Sequence, residues 1–145
     1  MADPAEPLYG TWRLKSWTRE FVGTGERFDG YGKAPNGFLT YGRDGRMLAL
    51  IVRGDRAKPA DLTRLTDQAK AALYDSMMSY GGSFSVEGSR VVHRIDISWN
   101  EFATDTVQFR NFRVEGRSLT LTMEPSISPV DGREAAAVLT WEKVG

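Results

Sequence analysis

One histidine stands in the whole chain, His93, and the residues around it alternate. Val91, His93, Ile95, Ile97 and Trp99 interleave with Val92, Arg94, Asp96 and Ser98, the period-two pattern of a half-buried strand. The imidazole lies on the apolar face. Further on, Gln108, Arg110, Phe112 and Val114 share one face of a second strand. With Asn100 to Ala103 as the loop, Trp99 pairs with Thr104, and His93 comes opposite Arg110, where cross-strand neighbours interact directly. A neutral imidazole beside a fixed guanidinium can accept a proton while the cation holds a developing oxyanion. Such a pair suits isomerisation or cyclisation through an enolate. It equally suits passive binding of an acid or enol.

Both residues also have plainer readings. His93 can be a core histidine satisfied by a neighbour's hydrogen bond. Burial and a nearby positive charge both disfavour imidazolium, so His93 is expected to be neutral at pH 7. A guanidinium is costlier to bury, and the inner faces offer it no carboxylate. Either Arg110 extends to the barrel mouth, or an outside anion or carbonyl completes the site. Zinc would need more imidazoles or carboxylates than this wall has, and haem on His93 alone has no second supporting feature. The Gly-rich stretch Val22 to Gly37 lacks the ending and following helix of a phosphate loop. No serine has a histidine of its own for a hydrolase triad. No metal and no cofactor is expected.

The elements that must position this pair are mostly strands. Tyr9 to Phe21 is the first, with Trp12, Leu14 and Ser16 on one face and Arg13, Lys15 and Trp17 on the other. Tryptophans on opposite faces call for a kink near Ser16 or cover for the outer ring. Met1 to Leu8 is a loosely held lead-in. Phe38 to Tyr41 and Met47 to Arg53 flank Asp44-Gly45, a hairpin signal. Leu48, Leu50 and Val52 alternate with Met47, Ala49 and Ile51, so parity leaves the inner face open; the outer one is covered or is an association surface.

Asp61 to Ser79 reads as the one helix, capped by Asp61, with Leu62, Leu65, Ala69, Leu73 and Met77 at helical spacing. It packs on the sheet or plugs one end of it; a mobile lid is the other reading. From Ser83 on, strands follow one another. Gly88-Ser89 brings Phe84 opposite His93, and Gly116-Arg117 pairs Val114 with Leu119 and Phe112 with Leu121, which puts Arg110 inside, opposite Met123. Pro125 to Arg133 is a loop, and Ala135, Ala137, Leu139 and Trp141 form one face of the last strand. Eight sequential strands, with the helix between the third and fourth, imply an all-β, antiparallel up-and-down barrel, closed so that no edge is exposed.

Composition narrows the partners. Nineteen basic and nineteen acidic residues cancel in 145, and they are dispersed, so neither nucleic acid nor an anionic membrane is expected. With no cysteine, thiol chemistry and disulfides are excluded. The length suits one domain, 1–145, with its core at about 8–143. No secretory leader or membrane span is read, so a cytoplasmic protein is the expectation.

Several segments, in order, resemble the lipocalin-like domain family of bacterial and fungal proteins, within the calycin-type barrels. Gly10-Thr11-Trp12-Arg13-Leu14 resembles the Gly-x-Trp opening. Gly37-Phe38-Leu39-Thr40-Tyr41 with Gly45-Arg46-Met47 is similar to the second block. Val91-Val92-His93, Trp99, Gln108-Phe109-Arg110, Leu119-Thr120-Leu121 and Leu139-Thr140-Trp141-Glu142 resemble later ones. The resemblance spans Leu8 to Lys143 and implies a barrel around a cavity; some relatives bind small apolar molecules, others act as isomerases or cyclases. The mid-barrel helix and the missing disulfides depart from secreted lipocalins, so transport by secretion is not implied.

The expected function is binding of a small, mostly apolar, oxygen-bearing molecule; the alternative is a cofactor-independent isomerase or cyclase using His93 and Arg110. The expected lining is Trp12, Phe84, His93, Ile95, Trp99, Gln108, Arg110, Phe112, Leu121, Met123 and Trp141, with Leu14, Ser16, Ile97 and Leu139 on the same inner faces. A homodimer through the apolar outer face is the protein-partner expectation.

Overall fold

Alternating segments joined by tight turns pair with their chain neighbours, and here the pairing runs full circle. In a computed structural model, which describes residues 2–127 and 132–145, the strands are β1 (Gly10–Phe21), β2 (Arg27–Asp29), β3 (Asn36–Tyr41), β4 (Arg46–Val52), β5 (Met77–Glu87), β6 (Arg90–Ser98), β7 (Val107–Glu115), β8 (Ser118–Thr122), β9 (Ser126–Ile127) and β10 (Glu134–Lys143). All ladders are antiparallel. β1 pairs with both β3 and β10, which closes eight strands into a barrel; β2 and β9 are short additions on β1 and β10.

The helix, α1 (Asp67–Asp75), follows the third barrel strand. Because Arg27–Asp29 adds a strand within the Gly-rich stretch Val22 to Gly37, α1 falls between β4 and β5 in chain order, not between strands three and four. It is also shorter than the 61–79 span. Asp61 caps only a 3-10 turn, Leu62–Arg64, accepting from the Thr63 amide at 2.9 Å. Leu65 is extended, and Thr66 starts the helix proper by accepting from the Ala69 amide. Met77 and Ser79 belong to β5, because the Ser76 carbonyl takes the Arg53 amide and opens the β4–β5 ladder. No residue of α1 is fully buried; the helix lies over Arg53 to Pro59 at one end of the barrel. None of the described helices is long and apolar enough to cross a membrane.

The parity left open in the β3–β4 hairpin resolves to Met47, Ala49 and Ile51 inside, with Leu39 and Tyr41; Phe38, Leu48 and Leu50 are exposed. Two irregularities re-aim other side chains. In β1, Leu14 pairs with Trp141 but Ser16 with Thr140, so Lys15 is an extra residue. Ser16, expected inside, therefore faces out and bonds the Thr140 hydroxyl, while Trp17 turns inward against Tyr31. In β6, Gly81 pairs with Ile97 and Gly82 with Ile95, leaving Asp96 as the extra residue. Ile95 stays in the core, and Ile97, expected inside, is 62 % exposed. Bulges shift parity by one in this way.

Strand direction gives the barrel two unlike ends. One carries the tight hairpins, including Gly88-Ser89 with Gly88 at φ 63°, and is closed by the N-terminal segment. That lead-in is firmly held: a 3-10 turn, Glu6–Leu8, buries Leu8 completely, and Trp12 Nε1 donates to the Leu8 carbonyl at 2.9 Å. The other end carries the long connections and α1. The expected 125–133 loop contains β9, and its 128–131 part lies outside the described residues.

Candidate functional site

His93 is held from both sides. The β5–β6 ladder sets Phe84 opposite it, as the Gly88-Ser89 turn requires. Tyr41, at the end of β3, places its hydroxyl 2.7 Å from Nε2, and Tyr80, on β5, places its own 2.7 Å from Nδ1. All three side chains are buried, His93 to 1 % exposure, and the Phe84 ring lies 4.7 Å from that of Tyr41. Burial, with the Arg110 charge second, pushes the His93 pKa down to about 3. Burial likewise raises both tyrosines above the ordinary phenol range. The group is therefore an uncharged Tyr–His–Tyr chain near neutral pH.

Arg110 lies on the same inner wall, but the expected pairing with His93 is off by two residues. His93 pairs with Gln108 and Arg110 with Val91. The reason is the connection. Its 3-10 turn at Glu101–Ala103 and left-handed Asp105 (φ 67°) set Val107 opposite Arg94, two residues earlier in the chain than a four-residue loop would. A slip of two preserves the face, and Arg110 does point inward. It is 8 % exposed. Its Nη1 donates to the Phe109 carbonyl at 3.0 Å and to Gln108 Oε1 at 3.3 Å, and its charge and hydrogen bonding act on Tyr80. Among the described residues no carboxylate pairs with it. Leaving a buried guanidinium so is costly.

Of the other expected lining residues, Trp12, Ile95, Leu121 and Trp141 are buried in the core with Phe84, and Phe112 and Met123 pack against it half-buried. Gln108 is half-buried beside Arg110. Trp99 is not on this wall: it follows β6, and its Nε1 donates to the Tyr74 carbonyl of α1. The β7–β8 ladder pairs Phe112 with Leu121 and ends at Asn111 with Thr122, so Met123 follows one step on, beside Arg110. Trp17, Met123, Ala135 and Ala137, with the charged Arg19 and Glu124 and part of β9, line a recess of about 260 Å³ at the end opposite the N-terminal closure. Two indole donors, Trp17 Nε1 and Trp141 Nε1, are buried without a partner among the described residues.

Tyr41 and Tyr80 are the site residues that sequence reasoning missed. Tyr41 alternates with Leu39 in the strand whose parity was open, and Tyr80 lay just beyond the overextended helix. The model of the lipocalin-like domain matches residues 9–144. The chain belongs to the lipocalin-like domain family. A crystal structure of a lipocalin-like protein from Bacteroides uniformis is similar at 13 % identity, with a TM-score of 0.49 over 95 % of this chain and 99 % of that one. Comparison with curated proteins finds no match. In this lipocalin-like barrel the imidazole is built into the wall. With both ring nitrogens engaged, His93 reaches any guest only through a tyrosine.

Proposed function

We propose that this lipocalin-like barrel binds a small, mostly apolar molecule bearing a carbonyl, enol or carboxylate oxygen. The observation that carries this is the donor excess of the inner wall. Arg110 is buried with neutral oxygens as its acceptors and no carboxylate among the described residues, and two buried indole N–H groups have no partner among those residues. Most of the remaining core is aliphatic and aromatic, and apolar walls with few convergent polar groups are the chemistry of ligand pockets. An oxygen acceptor on the guest would satisfy donors the protein leaves unmet, and Ala135 and Ala137 keep the nearby recess clear of bulk. Isomerisation or cyclisation through an enolate uses the same donors, with Arg110 on the oxyanion and a tyrosine moving the proton.

Titration of tryptophan emission with 1-naphthoate and with naphthalene tests this reading. The acid should bind saturably, and Arg110→Met should weaken it about ten- to a hundredfold, the loss of a charge-assisted hydrogen bond; naphthalene should be unaffected. Equal losses for acid and hydrocarbon, or no saturable response to any apolar acid or ketone, would overturn it.

A further inference from the structure

Counting protons identifies which group beside Arg110 meets the guest. Tyr41, neutral His93 and Tyr80 carry three exchangeable protons between them, one on each phenol and one on the ring. The two 2.7 Å bridges use two of these. One is always left over, and it sits on a phenol. With the ring proton on Nε2, His93 donates to Tyr41 and accepts from Tyr80, so Tyr41 holds the spare. With it on Nδ1, His93 donates to Tyr80 and accepts from Tyr41, so Tyr80 holds it. The two states contain the same atoms and the same charge. They differ in a ring tautomer and the direction of two hydroxyls.

Arg110 distinguishes the states, because it acts on Tyr80. The guanidinium charge eases loss of the Tyr80 proton and makes that hydroxyl the better donor, and without a guest Nδ1, 2.7 Å away, is its acceptor. An oxygen placed against Arg110 offers Tyr80 a second acceptor, and the spare proton then belongs there. We propose that Tyr80 and Arg110 form a two-donor subsite for a carboxylate, enolate or ketone oxygen, and that filling it switches His93 from the Nε2–H to the Nδ1–H tautomer. This rests on the reading that the barrel binds an oxygen-bearing molecule. Tyr80 and Arg110 touch the guest; His93 and Tyr41 are positioning residues that return a proton to Tyr80 without taking one from solvent.

Since the chain has a single histidine, ¹⁵N-histidine labelling gives one ring to read. The free protein should show a protonated Nε2 and an acceptor Nδ1, and saturation with 1-naphthoate should invert the pattern. Tyr80→Phe should weaken the acid at least tenfold and remove the inversion, while Tyr41→Phe weakens it less. A tautomer unmoved by bound 1-naphthoate overturns the subsite, whatever the variants do to folding. So does Tyr80→Phe binding as tightly as wild type while Arg110→Met does not, an outcome that leaves the binding reading intact. Failure of wild type to bind any apolar acid overturns the binding reading and the subsite with it.

Discussion

Burial strips the imidazolium form of His93 of its hydration, and Arg110 repels what is left of it. The folded value of about 3 lies below the ordinary 6.5, so between the two the unfolded chain binds a proton that the folded chain refuses. The contribution of His93 to stability is then complete above the ordinary value and drains away as pH falls toward the folded one. Moving from pH 7 to pH 5 should cost about 2 kcal/mol through this group alone. Urea unfolding of wild type and His93→Gln at both pH values checks it: the wild-type midpoint should fall more steeply. Parallel slopes would mean that His93 is not held neutral. The same residue explains why spacing alone was a partial guide to the site. Alternation put His93 inside, but its two partners come from β3 and β5, one of unresolved parity and one hidden behind a misjudged helix end.

At the scale of strands, one inserted residue decides which side chains meet the core. Lys15 and Asp96 are such residues, and beyond each the sequence alternation points to the wrong face. Up to those points the inner faces were legible: Trp12 and Leu14 before Lys15, and Val91, His93 and Ile95 before Asp96. A period-two pattern carries no mark of an added residue, so Ile97 and Ser16 could not be reassigned without the partner strand. The β5–β6 bulge brings backbones close. A Cβ on Gly82 would lie 1.8 Å from the Arg94 carbonyl oxygen. Ile95→Ala should cost about 2–5 kcal/mol, as a core truncation does. Ile97→Ala, two residues away, should stay within about 0.5 kcal/mol. Chemical denaturation of the two variants side by side measures the difference. Similar costs would place both isoleucines in the core and remove the bulge.

The closed ring should make the barrel one cooperative unit, with a sealed end and an approachable one. Among the described residues the eight barrel strands pair in an unbroken ring, so its circular dichroism should be β-dominated and its unfolding a single transition. The sealed end depends on Leu8, fully buried under Trp12; the other has small residues, Ala135 and Ala137, where the recess beside Met123 opens. Entry should therefore be from the end that carries α1, and two substitutions separate the alternatives. Ala137→Trp fills the recess and should weaken 1-naphthoate at least tenfold while leaving the spectrum unchanged, because the ring occupies space the guest needs and not space the strands need. Leu8→Ala should do the reverse. It removes a packed side chain at a cost of about 2–5 kcal/mol, yet leaves affinity unchanged when measured well below the unfolding midpoint. If Leu8→Ala impairs binding and Ala137→Trp does not, the guest enters beneath the N-terminal turn. The Gly-x-Trp segment would then be a gate, and the hydrogen bond from Trp12 to the Leu8 carbonyl would be the contact that opens.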